Sequence, residues 1–219
     1  MIVIGTNNGR GWLSNSLASL AKLGIEDTIL VIDTNSTEKD ALEFHQSLTK
    51  GIYDLDIQIE TTPYKGYDSG AWIWAIQNRD EEYYHFIQDS IVVNTKGYFR
   101  KAERILDEGK IASLLHFPPN QYDSFEQHLW VMENFGTSQY KSGVFGPNFS
   151  INRDIRNKLN RLAIPIPTNK LEQMGMERGW GVLFNTMGLE IEAIEGDYNW
   201  DRLVNDDYEL FTKRFGGRR

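Results

Sequence analysis

Four polar clusters follow short hydrophobic runs in the first half of the chain: Thr6-Asn7-Asn8, Asp33-Thr34-Asn35, Thr61-Thr62 and Gln88-Asp89-Ser90. Their carboxylates, amides and hydroxyls can accept hydrogen bonds from a base N–H or a ribose hydroxyl and can offer oxygen to a hard cation. Between the third and fourth clusters stands Tyr64-Lys65-Gly66-Tyr67-Asp68-Ser69-Gly70. Here Lys65 can neutralise a diphosphate, Gly66 permits a turn with positive φ, and a helix starting near Ser69 offers backbone N–H groups to an anion. Taken singly, each cluster also reads as the polar loop and helix cap that any strand-to-helix connection needs.

The elements that must position these groups alternate. Strands are predicted over Ile2 to Thr6, Thr28 to Asp33, Asp56 to Thr61, Tyr84 to Gln88 and Ala112 to Phe117. Helices are predicted over Leu13 to Lys22, Lys39 to Thr49, Ser69 to Asn78 and Tyr98 to Asp107. This order is that of consecutive βαβ units, so the fold class is α/β, with a mostly parallel central sheet and helices on both faces. In such sheets ligands bind at the carboxyl ends of the strands, which is where the four clusters fall. Ala71, Trp72, Trp74, Ala75 and Ile76 make the third helix apolar on nearly every side, as expected of one buried between the sheet and the second half. From Pro118 to Asn148 the regularity breaks down, and long loops are expected. An antiparallel strand follows around Gly143 to Ile151, then helices near Arg153 to Leu162 and Lys170 to Met187.

A length of 219 residues with 40% apolar composition suits one large domain with a substantial core. No apolar run is long enough to cross a bilayer and no basic signal flank is visible, so a cytoplasmic location is the default expectation. The absence of cysteine excludes disulfides, thiolate zinc sites and cysteine nucleophiles. A net charge of −8 argues against a nucleic-acid acceptor bound over a broad surface. The basic ending Lys213, Arg214, Arg218 and Arg219 reads first as a solvated, frayed tail, with local contact to phosphates or a membrane surface as the alternative. Neither a Gly-x-Gly-x-x-Gly turn, a phosphate loop ending in Gly-Lys-Ser/Thr, nor a Gly-x-Ser-x-Gly elbow occurs, which counts against dinucleotide redox, P-loop hydrolysis and Ser-His-Asp hydrolysis.

The order of these motifs resembles a family. Val31-Ile32-Asp33-Thr34-Asn35-Ser36-Thr37 is similar to the second-strand segment of GT-A nucleotide-sugar glycosyltransferases, a hydrophobic strand ending in an acid. Tyr64-Lys65-Gly66-Tyr67-Asp68 resembles the Asn-Lys/Arg-Gly-x-Asp turn of members that build rhamnose-containing and other bacterial surface polysaccharides, with Tyr64 departing from the Asn. Gln88-Asp89-Ser90 stands at the position of the Asp-x-Asp metal motif and is closer to the Asn-Asp-Ser form of that subgroup.

The resemblance implies a GT-A fold and transfer of a sugar from a nucleotide-diphosphate-sugar to a hydroxyl, with a glycan as acceptor. It assigns Thr6, Asn7, Asp33, Lys65, Gly66 and Asp68 to the donor and makes Asp89 the catalytic acid facing Mn²⁺ or Mg²⁺. Because both outer acids are replaced, Lys65 or a helix dipole is the alternative source of positive charge. Residues 1–117 would form the donor half of a single domain and residues 118–219 the acceptor and catalytic half. In the latter, Gly143 to Arg153 resembles the strand on the acceptor side, with Asn148 as a contact. Glu177 lies where inverting members carry a general base, Glu172, Asp123 and Glu126 being the competing acids. Trp180 is the expected acceptor-stacking ring, with Trp130, Tyr140, Tyr198 and Trp200 as others. Two rival readings stand beside this one. The first is a domain of the same fold that binds sugar nucleotide or glycan without turnover. The second is a haloacid-dehalogenase-like phosphatase using Asp33, although Asn35 replaces its second acid.

Overall fold

Period-two alternation along the central strands sends neighbouring side chains into two different cores. In β1 (Ile2–Thr6), Ile2 and Ile4 enter one apolar cluster and Val3 the other; in β2 (Ile29–Asp33), Ile29 and Val31 oppose Leu30 and Ile32 in the same way. Strands buried on both faces must be covered on both, and the computed structural model, which describes residues 1–65 and 67–215, shows that arrangement. α1 (Arg10–Lys22) covers one face through Leu13, Leu17 and Leu20. α2 (Lys39–Leu48) follows β2 and adds Leu48 to the same core. β3 (Ile57–Thr61) leads to α3 (Tyr67–Asn78), which covers the opposite face with Trp72, Ile73 and Ile76.

β4 (Tyr83–Gln88) is followed by the short β5 (Ile91–Val93) and by α4 (Gly97–Asp107), which packs on the α1 side. The strand expected from Ala112 to Phe117 is two pieces, β6 (Ile111–Ser113) and β7 (His116–Phe117). The chain leaves the sheet between them, where the Leu114 N–H donates to the Asn148 carbonyl at 2.9 Å. The expected long loop contains α5 (Phe125–Phe135), capped by the Ser124 hydroxyl at its start and by Gly136 at φ 71° at its end. The expected antiparallel strand is also divided: β8 (Gly143–Val144) pairs with β7, whereas β9 (Phe149–Asn152) enters the main sheet. α6 (Arg153–Leu159), α7 (Lys170–Thr186), β10 (Ile191–Ala193), α8 (Trp200–Val204) and β11 (Phe211–Lys213) complete the order.

The main sheet has seven strands in the order β10-β6-β9-β4-β1-β2-β3. All of its pairings are parallel except the two made by β9. The register sets Thr6 opposite Asp33 and Gly5 opposite Gln88, so these strands finish flush along one edge. Gly5 matters to that edge. A Cβ there would stand 3.0 Å from Ala71 Cβ and 3.2 Å from Asp68 Cα, so the missing side chain lets the start of α3 settle directly on β1. β11 pairs antiparallel with β5 and carries Lys213 opposite Ile91.

Candidate active site

A cleft opens where β1, β2 and β4 end. Thr6, Asn7, Thr34 and Gln88 line it from the sheet edge, Tyr67 and Asp68 from the start of α3, and Lys170 and Gln173 from the start of α7. Asp89, Ser90, Lys213 and Arg214 line it from the β5 and β11 side.

Gln88 joins these segments. Its side-chain N–H₂ donates to Asp68 Oδ2 at 2.7 Å, while its Oε1 accepts from Lys213 Nζ and, at 3.3 Å, from Asn148 Nδ2. Its backbone N–H donates to Asn148 Oδ1 at 2.7 Å. Ser90 Oγ accepts from the same Lys213 Nζ at 2.6 Å, and the Arg214 N–H donates to the Ser90 carbonyl at 2.9 Å. Asp89 is buried and its Oδ2 accepts from Thr6 Oγ1 at 3.1 Å.

Charge is concentrated here. Burial pulls the Lys213 ammonium below the ordinary lysine range, against the carboxylates of Asp68, Asp89 and Glu177, which favour its proton. Burial likewise pushes the Glu177 carboxyl up, opposed by Arg178, Lys170 and Lys213 and reinforced by Asp68. Glu177 is not itself on the cleft wall; it lies one turn along α7 from Gln173, which is. Its neighbour Arg178 reaches Glu177 Oε2 at 3.2 Å and Asp123 Oδ2 at 2.8 Å, and its guanidinium carbon lies 4.2 Å from the Phe117 ring centroid. Of the competing acids, Asp123 is committed to Arg178, Glu172 accepts from the Thr168 N–H and hydroxyl, and Glu126 sits exposed in the first turn of α5.

Thr6, Asn7, Asp68 and Asp89 thus meet in one cleft, whereas other expected site residues do not. Asp33 is buried and not on the cleft wall: its Oδ1 accepts from the Ser36 N–H at 2.9 Å and the Ser36 hydroxyl at 2.6 Å, and its Oδ2 lies 3.9 Å from His45 Nδ1. A carboxylate so engaged, and buried, shapes the loop carrying Thr34, and the phosphatase reading gains no support. Lys65 is exposed and off the cleft wall, and Gly66 lies outside the described residues. Asn148 is fully buried, its amide committed to Gln88 and to the Phe145 and Gly146 carbonyls. Trp180 is fully buried too, with Phe149 at 5.0 Å and Phe184 at 5.9 Å between ring centroids, and its indole N–H donates to Ser69 Oγ. Both are positioning and packing residues rather than acceptor contacts, because no face of either is open.

Sequence reasoning placed Lys213 and Arg214 in a basic tail, with phosphate contact only as the lesser alternative, and missed Lys170 and Gln173. The first two are not part of a frayed tail: Lys213 ends β11 and Arg214 continues along the cleft, while Arg218 and Arg219 lie outside the described residues. Gln173 is 1% exposed, and neither atom of its amide has a hydrogen-bond partner among the described residues. A buried amide without a partner in a cleft wall is a signal only the folded chain can give.

The residues at the Asp-x-Asp position offer a divalent cation a single carboxylate, that of Asp89. Among the described residues, no three His, Cys, Asp or Glu side chains converge as a metal site. The oxygens of Gln88 and Ser90 that flank Asp89 already point at an ammonium.

No family model and no curated protein matches the sequence. Solved structures do match in fold. A mannosyltransferase, PcManGT from Pyrobaculum calidifontis in complex with GDP-Man and Mn²⁺, is similar at 16% identity and a TM-score of 0.58, over 88% of this chain and 53% of that one. S. aureus TarS 1–349 in complex with UDP is similar at 14% identity and a TM-score of 0.53, over 88% of this chain and 56% of that one. The chain spans about half the length of these structures. The likeness shows the fold, that of GT-A glycosyltransferases. No helix among the described residues is long and apolar enough to cross a membrane.

Proposed function

We propose that the chain is a glycosyltransferase that moves a sugar from a nucleoside-diphosphate sugar to a hydroxyl of a glycan acceptor. The observation that carries this reading is the cleft at the strand ends, where Asp68 and Asp89 face Lys170, Lys213 and Arg214. A wall of mixed charge with a cationic surplus suits a diphosphate flanked by hydroxyl-rich groups, the carboxylates taking sugar or ribose hydroxyls and the cations taking phosphate oxygens. The cleft measures about 200 Å³. That is below the roughly 300–1,000 Å³ of a site that encloses a small ligand whole, so it suits the reacting middle of a longer molecule.

In this reading the acceptor oxygen attacks the anomeric carbon of the donor sugar. The bond from that carbon to the β-phosphate oxygen breaks, its electron pair leaves with the nucleoside diphosphate, and the acceptor proton passes to Glu177. A carboxyl raised by burial is a better base near neutrality than an exposed one. Asp68 and Asp89 orient the donor, Thr6 and Asn7 form the floor beneath it, and Gln173 supplies an unspent amide to a sugar hydroxyl. Residues 1–117 supply most of the donor side and α7 the base.

Thermal shift against UDP-, GDP- and dTDP-sugars tests donor binding, and release of nucleoside diphosphate in the presence of glycan acceptors tests transfer. Glu177→Gln is expected to keep donor binding and lose turnover. Donor binding with no turnover by either protein would instead make this a non-catalytic sugar-nucleotide-binding domain.

A further inference from the structure

The two residues that stand where Asp-x-Asp enzymes carry acids turn their oxygens to one ammonium. Lys213 Nζ donates to Gln88 Oε1 and to Ser90 Oγ, which leaves one of its three N–H groups uncommitted to either. Its approach is fixed from several sides. β11 is held to β5 with Lys213 opposite Ile91, the Arg214 N–H is tied to the Ser90 carbonyl, and Gln88 is clamped by Asp68 and Asn148. A lysine delivered by a strand and held by two oxygens is preorganised rather than a passing surface charge.

We infer that Lys213 is the resident cation of this cleft, binding the donor diphosphate and neutralising the leaving nucleoside diphosphate in place of a divalent metal ion. The inference rests on the glycosyltransferase reading and names how that reaction handles its charge. As the glycosidic bond to phosphate breaks, a further negative charge develops on the leaving oxygen. A fixed cation beside it stabilises that charge without reorganisation. Asp68, Asp89 and Glu177 surround Lys213 and oppose the downward pull of burial, favouring the charged form that a phosphate would meet. Replacing both outer acids by Gln88 and Ser90 then has a physical reason: two more carboxylates here would attract a metal ion and compete with phosphate for the lysine.

The test is isothermal titration of the whole chain with UDP, GDP and dTDP, in EDTA and in Mn²⁺, for the wild type, Lys213→Met and Lys213→Arg. The expected result is binding of one nucleotide in EDTA with little change in Mn²⁺. Losing a charge-assisted contact should weaken that binding about 10–100-fold in Lys213→Met. Lys213→Arg, which keeps the charge, should fall between the two. Binding that appears only with Mn²⁺, or that Lys213→Met leaves unchanged in EDTA, overturns the role of Lys213 while leaving the glycosyltransferase reading standing. Binding of no nucleotide under either condition overturns both. If Lys213→Met does not fold, the wild-type comparison of EDTA with Mn²⁺ and the Lys213→Arg titration still decide.

Discussion

A β-carbon added to Gly9 would stand 2.1 Å from Asp89 Oδ2 and 2.9 Å from Thr6 Oγ1. Gly9 precedes the first residue of α1 at φ −95°, a conformation open to any residue, so contact and not backbone freedom is what requires glycine here. The first turn of α1 therefore presses on the one acid that the sequence singles out at the end of β4. Gly9→Ala should drive the Asp89 carboxylate off its Thr6 contact, with an overpacking cost of about 1–3 kcal/mol. Donor binding, followed by titration calorimetry, should weaken by more than the fall in Tm accounts for. Unchanged binding would mean that the position of Asp89 is not critical.

Gln173 gives a prediction of opposite sign for stability and function. Its amide is buried beside the cleft with no partner among the described residues, a condition that costs about 1–3 kcal/mol. Gln173→Met keeps the volume and removes that cost. Tm should rise, by about 2–4 °C for each kcal/mol recovered in a chain of this size. Turnover or ligand affinity should fall, because the amide kept at that expense is the one available to substrate. A variant both less stable and fully active would show that Gln173 serves packing alone.

Legibility followed local chemistry. β1 to β4 and α1 to α4 could be read because each is a run of its own period bounded by polar turns, and the C-terminal edge followed from their alternation; the three-residue β5 could not. α5 was hidden although its caps are visible in hindsight, Ser124 with Gln127 three residues on and Gly136 at the end. Its buried residues are only Gln127 and Val131, while Phe125 is 72% exposed and Leu129 44%, so no apolar stripe announced it. β10 and β11, three residues each, exist because partners 80 or more positions away complete their pairing. The same distance hid Lys213, whose partners Gln88 and Ser90 lie 125 and 123 residues earlier. Asp33 shows the converse: the strand-end acid was visible, but its bonds to Ser36, three residues on, and its place off the cleft wall were not.

Two buried histidines set a pH dependence of folding. His85 lies in β4 with its Nδ1 2.9 Å from Ser150 Oγ and its Nε2 3.6 Å from Glu103, and burial holds it below the ordinary value of 6.5. His45 is lowered by burial as well, against the pull of Asp33. Since the folded values lie below the unfolded one, the unfolded chain takes up protons first. Stability is thus whole above pH 6.5 and declines as pH falls toward the folded values. Each histidine contributes at most about 1.4 kcal/mol per pH unit. Denaturant midpoints should drop between pH 7 and pH 5.5, and His85→Gln should flatten that slope. An equally steep slope in the variant would assign the effect to other groups.

Arg178 couples the stability of the loop carrying Asp123 to the proposed base. It is buried, holds Asp123 and Glu177 at once, and donates to the Gln121 and Met174 carbonyls. Arg178→Gln would leave two acids without their cation, at a cost of about 3–5 kcal/mol where the pair is fully buried and less here, because Asp123 is half exposed. The same change removes the largest force opposing the upward shift of Glu177, so its carboxyl should rise further. A base must be deprotonated to act, so the acidic limb of the pH–rate profile should move to higher pH in Arg178→Gln. Arg178→Lys keeps the charge but loses the planar fork, and should lose stability while leaving that limb near its wild-type position. A limb that stays put in both variants, with Tm lowered in each, would mean that Arg178 only fastens α7 to the loop carrying Asp123 and that the titrating base is not Glu177.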